Sequence, residues 1–260
     1  MKVVNALIDI HCHILPGVDD GALSVQDSID MAREAEKEGI DIIVATPHHM
    51  NGTYENTKQE ILKKVDYLNE VFKDEGIDIH ILPGQETRIN GEMLEAIKAG
   101  DVLPLNNTRY VFVELPFSNI PRYTSKLLFD LQVSGYCPII VHPERNKRIQ
   151  EDPDILYSFV EKGCYTQITA ASLIGKFGKK NQKVSRLLIE ANLAHLISSD
   201  AHNTTSRGFK MQEAYNEIEK RYGFSMVRFF QENADYLIEN HVLAAQPPQQ
   251  VKKKIFLGLF

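Results

Sequence analysis

The chain reads as an α/β protein, a distorted TIM-like (β/α)7 barrel, and three observations predict it. Seven short apolar segments alternate strictly with amphipathic helical ones, which implies a parallel sheet covered by helices. The 260 residues, 43% of them apolar, suffice for one large core. Polar residues able to bind metal stand at or just after the ends of six of the seven strands. An open sheet gathers its working residues at one switch point, whereas a barrel brings the C-terminal ends of all its strands around one mouth. The distribution therefore favours closure, with seven strands in place of the usual eight. No solenoid repeat or internal low-complexity linker divides the chain, so residues 1–240 form one domain and 241–260 a tail.

Val3, Val4, Ala6, Leu7, Ile8 and Ile10 make the first strand, along which residues two apart share a face. Asp9, His11 and His13 then point the same way, and two imidazoles about 6.5 to 7 Å apart can converge on one cation. Ser24 begins a helix, with Asp27 completing a capping box, that runs to Gly39. Strand Ile40 to Thr46 ends in Pro47-His48-His49, and the helix from Thr57 to Glu75 closes at Gly76. Ile77 to Leu82 is the third strand, running into Pro83-Gly84-Gln85-Glu86. A short helix from Gly91 to Ala99 precedes the fourth, Tyr110 to Leu115, which ends in Glu114.

Tyr123 to Ser134 is helical, and Pro138 to Val141 is a strand leading into His142. Pro153 starts a helix that stops at Gly163, and Tyr165 to Thr169 is the sixth strand. Helix Lys179 to Asn192 precedes strand Ala194 to Ser199, which runs into Asp200-Ala201-His202. Helices Arg207 to Tyr222 and Ser225 to Asn240 finish the domain. The segments Pro116 to Tyr123 and Ala170 to Lys180 follow strands and are candidate rim loops.

Composition excludes several classes. A net charge of -6 argues against a protein that grips nucleic acid. Three cysteines, Cys12, Cys137 and Cys164, make no disulfide framework and suit a reducing compartment. The N-terminus is too short and polar for a secretion signal, and no stretch is long enough to span a bilayer. A cytoplasmic location follows, and a homo-oligomer is compatible with it. An arginine six positions beyond a cysteine, as cysteine-based phosphatases require, is absent: those places hold Val18, Pro143 and Ala170. Nucleotide-binding P-loop, H-E-x-x-H and G-x-S-x-G motifs are absent too.

His11, His13, His48, Glu86, Glu114, His142, Asp200 and His202 exceed what one tetrahedral zinc needs. They suit two or three divalent ions, with Mn²⁺, Fe²⁺ and Zn²⁺ all compatible with imidazole and carboxylate ligation. Such a cluster lowers the pKa of a bound water and neutralises phosphoryl oxygens, so hydrolysis of a phosphate ester is the economical reading. Arg145 and Arg207 stand where a phosphate would be held in a two-pronged way. Only one of His48 and His49 is a ligand, since neighbours on a strand face opposite sides. His80, His195 and His241 read as structural, and Cys12 as packing.

Asp9-Ile10-His11-Cys12-His13 resembles the first motif of the PHP superfamily, named for polymerase and histidinol phosphatase domains. The longer runs Asp9 to Ala22, Ala45 to His49, Leu82 to Glu86, Val141 to Asn146 and Ser198 to His202 resemble the manganese-dependent protein-tyrosine phosphatases of Gram-positive bacteria. Those enzymes act alongside the tyrosine kinases of capsule and exopolysaccharide synthesis. The resemblance implies a PHP fold, phosphotyrosine proteins such as such a kinase as substrates, and three divalent ions, Mn²⁺ foremost. His11, His13, Glu86 and Asp200 would hold the first ion; Glu86, Glu114 and His142 the second; Asp20, His48 and His202 the third. Asp20 is thereby preferred to Asp19, and Arg145 and Arg207 correspond to phosphate-binding arginines, with His142 also in the catalytic set. Competing expectations are a histidinol-phosphate phosphatase, a nuclease, and a metal-stabilised interaction module without turnover. In the tail, Gln246 to Gln250 looks like an extended linker. Lys252 to Lys254 beside an apolar hexamer suits an acidic membrane surface, a kinase or a sister subunit as well as a frayed terminus.

Overall fold

A computed structural model describes residues 7–251. Strand β1 (Leu7–Cys12) leads through α1 (Val25–Lys37) to β2 (Ile40–Ala45), which resumes after Thr46 and Pro47 as β3 (His48–His49). Helix α2 (Lys58–Asp74) leads to β4 (His80–Pro83), which resumes after Gly84 and Gln85 as β5 (Glu86–Arg88). Helix α3 (Met93–Ala99) precedes β6 (Tyr110–Glu114), and α4 (Thr124–Val133) precedes β7 (Cys137–Val141). Helices α5 (Lys147–Glu151) and α6 (Asp154–Val160) lead to β8 (Tyr165–Thr169). Helices α7 (Ala170–Leu173) and α8 (Lys179–Glu190) lead to β9 (Leu196–Ser198), and α9 (Met211–Tyr222) and α10 (Phe224–Ile238) follow.

Every strand pair is parallel, in two sheets ordered β1-β2-β4 and β3-β5-β6-β7-β8-β9. The sheets are joined because two strands break and contribute to both. Thr46 N–H donates to Cys12 O at 2.9 Å and Glu86 N–H to Pro47 O at 3.0 Å, carrying the ladder across the interruptions. At the other side a parallel bridge links Cys12 with Ala201, and Asp200 N–H donates to His11 O at 2.9 Å. The seven expected strand positions thus return to their start. The breaks have local causes. Pro47 has no N–H to give a ladder, and Gly84 is so tightly packed that a Cβ there would meet Val44 Cγ1 at 2.7 Å.

Strand parity sorts the core. Val111, Val113, Ile140, Ile168 and Ile197 pack outward against helical residues such as Leu68, Leu128, Phe159 and Leu188. Their neighbours Tyr110, Phe112, Ile139, Val141 and Leu196 cluster with Ile8, Ile10 and Val44 among the strands, joined by Leu237 and Leu243. In β1 the register slips between Asp9 and Cys12. Ile10 therefore belongs to the inner cluster while Cys12 joins the outer one. The expected shared face of Asp9, His11 and His13 is broken by that slip. Asp9 accepts hydrogen bonds from Ser199 N–H and Oγ instead, while His11 turns onto Phe112.

The capping box of Ser24 and Asp27 is present, and Thr57 with Glu60 makes a second. The helix expected from Arg207 begins only at Met211; Arg207 O accepts from His202 N–H, so the preceding stretch is a turn. His80 is the exposed first residue of β4, and His241 is exposed beside Glu239. Residues 241–251 form no helix or strand and lie on the domain: Leu243 is buried, Gln249 N–H donates to Ala191 O, and Val251 N–H to Asp154. The lysines and apolar hexamer at 252–260, like Val3, Val4 and Ala6, lie outside the described residues. Among the described residues no helix is long and apolar enough to cross a membrane.

His195 is buried at the end of the barrel away from its mouth, and its Nδ1 accepts from Thr166 N–H at 3.2 Å. Burial holds its imidazole down to about 4 against an ordinary 6.5. It stays neutral in the fold while the unfolded chain protonates, so its contribution is complete above pH 6.5 and is lost as pH falls towards 4. Urea unfolding at about pH 7 and about pH 5 should show the destabilisation caused by His195→Gln shrinking on acidification, the total loss below about pH 4 being roughly 3 kcal/mol. A pH-independent difference would contradict this.

Candidate active site

All nine side chains expected to bind metal meet at the C-terminal rim of the strands. They form four overlapping groups, each with donor atoms within 4.8 Å of one another: His11, His13 and Asp200; His11, Glu86 and His142; His48, Glu86 and Glu114; and His13, Asp20, His48 and His202. Glu86 sits among them. Its Oε2 lies 3.5 Å from His11 Nε2, 3.4 Å from His13 Nε2 and 2.8 Å from His48 Nδ1, and its Oε1 2.6 Å from His142 Nε2. Asp200 Oδ1 approaches His11 and His13 at 3.5 and 3.3 Å, and Asp20 Oδ1 is 3.4 Å from Nε2 of both His48 and His202. No one group holds Glu86, Glu114 and His142 together; His142 sits with His11, and Glu114 with His48.

Unusual backbone places several of these residues. His48 and Glu86 open the resumed strands β3 and β5, so the breaks bring both to the rim. His142 and Asp200 adopt left-handed conformations at φ 36° and 53°, although neither is glycine and His142 precedes a proline. Such strain, of order 1–3 kcal/mol each, persists where surrounding structure imposes it, typically at working sites. Gly21 allows the loop after β1 to fold onto the strand end, since a Cβ there would lie 2.1 Å from His13 O.

Three imidazoles are held by their far nitrogens. His11 Nδ1 lies 3.2 Å from Gln167 Oε1, His13 Nδ1 2.7 Å from Asp19 Oδ2, and His202 Nδ1 3.0 Å from Asp200 O. Each contact fixes Nδ1 as the donor and turns the Nε2 lone pair inward. Nε2 of His11, His13 and His202 is in each case buried without a hydrogen-bond partner, as are His48 Nδ1, Glu86 Oε2 and Glu114 Oε2. Six convergent buried atoms left this way would be costly in an inert core. The donor set fits divalent cations.

The electrostatics agree. Burial together with the Glu86 carboxylate pushes Glu114 up to about 8. Burial opposes charge on His48, yet Glu86 raises its imidazole to about 10; His13 is likewise held well above its ordinary value, with Asp19 overcoming burial. Burial and Arg145 lower His142 to about 4, while burial and His13 do the same to His202. Carboxylates crowd a largely buried space, and the site calls for positive charge.

Arg145 and Arg207 both reach Asp200 Oδ2, at 2.6 and 3.1 Å. They line a cavity of ≈ 220 Å³ with His48, Glu86, Glu114 and His142. Arg88, not singled out from sequence, lies in the same wall and pairs with Glu114 at 2.9 Å. Gln167 and Asp19 were also not anticipated as supports. A glutamine inside an otherwise buried strand was the available signal for the first. His49 is turned away, its Nδ1 accepting from Asn56 N–H at 3.1 Å, while His48 lies at the cluster. Cys12 is buried in the outer core as expected.

Residues 7–239 match the family model described as capsular polysaccharide synthesis, CpsB/CapC. The chain is 48% identical over 254 residues to tyrosine-protein phosphatase YwqE of Bacillus subtilis (strain 168), covering 98% of this chain and 100% of that one. It is 31% identical over 222 residues to tyrosine-protein phosphatase CpsB of Streptococcus pneumoniae, covering 84% and 91%. The crystal structure of YwqE, described with CpsB as unique metal-dependent tyrosine phosphatases, superposes with a TM-score of 0.93 over 95% of this chain and 100% of that one, at 48% identity. A TatD-like protein from Archaeoglobus fulgidus shares the fold at 14% identity and TM-score 0.53, covering 89% and 99%.

Asp19→Asn removes the charge that fixes the His13 tautomer. Calorimetric titration with Mn²⁺ should find affinity weakened about 10- to 100-fold, with unchanged circular dichroism. Unaltered affinity would mean that Asp19 does not act through His13.

Proposed function

The chain belongs to the CpsB/CapC family of capsular polysaccharide synthesis, and on that footing we propose that it is a metal-dependent tyrosine phosphatase hydrolysing phosphotyrosine on proteins. One observation carries the reading: convergent buried imidazole and carboxylate atoms without hydrogen bonds, beside a cavity that two arginines also line. A scaffold has no use for a phosphate clamp next to a metal centre.

His11, His13, Asp20, His48, Glu86, Glu114, His142, Asp200 and His202 would hold three ions, with Glu86 shared between two. Mn²⁺ is the ion we propose, Fe²⁺ and Zn²⁺ being the alternatives that the same donors accept. When bound, the ions lower the pKa of water towards neutrality and neutralise charge on phosphoryl oxygens. Arg145 and Arg207 orient the phosphoryl group, each offering parallel N–H donors, and Asp200 holds both guanidiniums in position through one oxygen. Burial keeps His142 neutral at pH 7 and so able to donate its lone pair. Tyrosine phenolate, with a pKa near 10, leaves far more readily than a serine alkoxide, and solvent suffices to protonate it.

The physiological partner we propose is a tyrosine kinase of polysaccharide synthesis, consistent with the family's description. All three cysteines are free thiols, which supports placement in the cytoplasm.

Hydrolysis of a phosphotyrosine peptide, histidinol phosphate and single-stranded DNA, measured side by side, should favour the peptide, stop with chelator and return with Mn²⁺. Arg145→Ala should lower kcat/KM on the peptide by about 10²- to 10³-fold. Full activity in chelator or in Arg145→Ala would overturn the reading, and preference for either other substrate would move the chain to that activity.

A further inference from the structure

Within the phosphatase reading above, on which this step rests, we propose that Phe117 is the platform for the substrate's aromatic ring and sets selectivity for aryl over alkyl phosphate monoesters. Phe117 follows β6 and lines the same cavity as His142, Arg145 and Arg207, yet it is 63% exposed. A single exposed aromatic needs no explanation by itself. This one is held in place. Asn146 Nδ2 donates to Pro116 O at 2.7 Å and to Asn119 O at 3.1 Å, and Lys147 N–H donates to Phe117 O at 3.0 Å. The Lys147 ammonium lies 5.4 Å from the ring centroid. Asn146 and Lys147 directly follow Arg145, so the exposed ring and the guanidinium stand on one scaffold.

Three other aromatic rings lie against groups of the centre itself. Phe112 packs on His11 at 4.9 Å, Tyr54 lies parallel to His48 at 6.1 Å, and Phe177 lies 5.7 Å from the Arg145 guanidinium carbon. Phe117 lies in the cavity wall with its ring open to solvent, next to Leu115. A phosphoryl group held by the arginines puts the phenyl ring one ester oxygen further out in the cavity that Phe117 also lines, and aromatic pairing there would add to area burial. The side chain of a phosphoserine has no ring to set there.

The test uses the full chain with Mn²⁺, a phosphotyrosine peptide, its phosphoserine counterpart, and inorganic phosphate as competitive inhibitor. Phe117→Ala should raise KM for the phosphotyrosine peptide about tenfold, equivalent to about 1.4 kcal/mol. It should leave kcat within about twofold and the phosphate inhibition constant unchanged, and narrow the preference for phosphotyrosine over phosphoserine. Phe117→Tyr should restore the wild-type KM. Unchanged KM in Phe117→Ala would overturn the proposal, as would a parallel rise in KM and in the phosphate constant, which would mean that the loop serves only to hold Arg145. If the wild-type chain does not turn over the phosphotyrosine peptide, the phosphatase reading itself fails and the platform with it.

Discussion

Everything at the mouth of this barrel turns on the Glu86 carboxylate, buried among four imidazoles and close to a second carboxylate, Glu114. A carboxylate out of water needs compensating charge. Here Glu86 contacts two buried imidazoles, His11 and His13, and two only slightly exposed, His48 and His142, and its Oε2 lacks a hydrogen bond of good geometry. Protons can supply part of the balance, as the raised titration of His48 and His13 indicates. Divalent cations supply it better, because they satisfy together the nitrogens and oxygens that lack hydrogen bonds.

The fold meets that requirement through departures from regularity. A slip in β1 turns His11 inward, two strand breaks carry His48 and Glu86 to the rim, and left-handed backbone at His142 and Asp200 aims their side chains. Below the rim the inner cluster is apolar. Regular packing supplies the rigidity; the irregular positions supply the chemistry. Asp19, Gln167 and the Asp200 carbonyl then set the imidazole tautomers from behind, so the donors are oriented before any ion arrives.

Much of this was legible in the chain because strand ends are marked by abrupt changes from apolar to ionisable residues. The run from Ile40 to Ala45 ending near His48, and that from Tyr110 to Glu114, mark both a strand and the place of a candidate ligand. The candidate ligand set came residue by residue from family resemblance, and spacing alone would have left Asp19 and Asp20, or His48 and His49, undecided. What escaped was three-dimensional. Parity extrapolated from Ile8 and Ile10 put Asp9 beside His11, because a register slip leaves no local sequence mark. Arg207 was read into a helix whose periodicity continues through it, whereas Asn203 accepts its N–H in a turn that swings the guanidinium to Asp200. Arg88 and Gln167 lie far in sequence from the residues they support, and only closure of the strands reveals them.

Anomalous diffraction from crystals grown with Mn²⁺, combined with metal analysis of the protein in solution, addresses the central claim most directly. The account predicts three manganese peaks per chain at this rim, with Glu86 bound to two of them and Nε2 of His11, His13 and His202 among the ligands. A single peak, or ions bound without Glu86, would contradict the shared centre on which the chemistry depends.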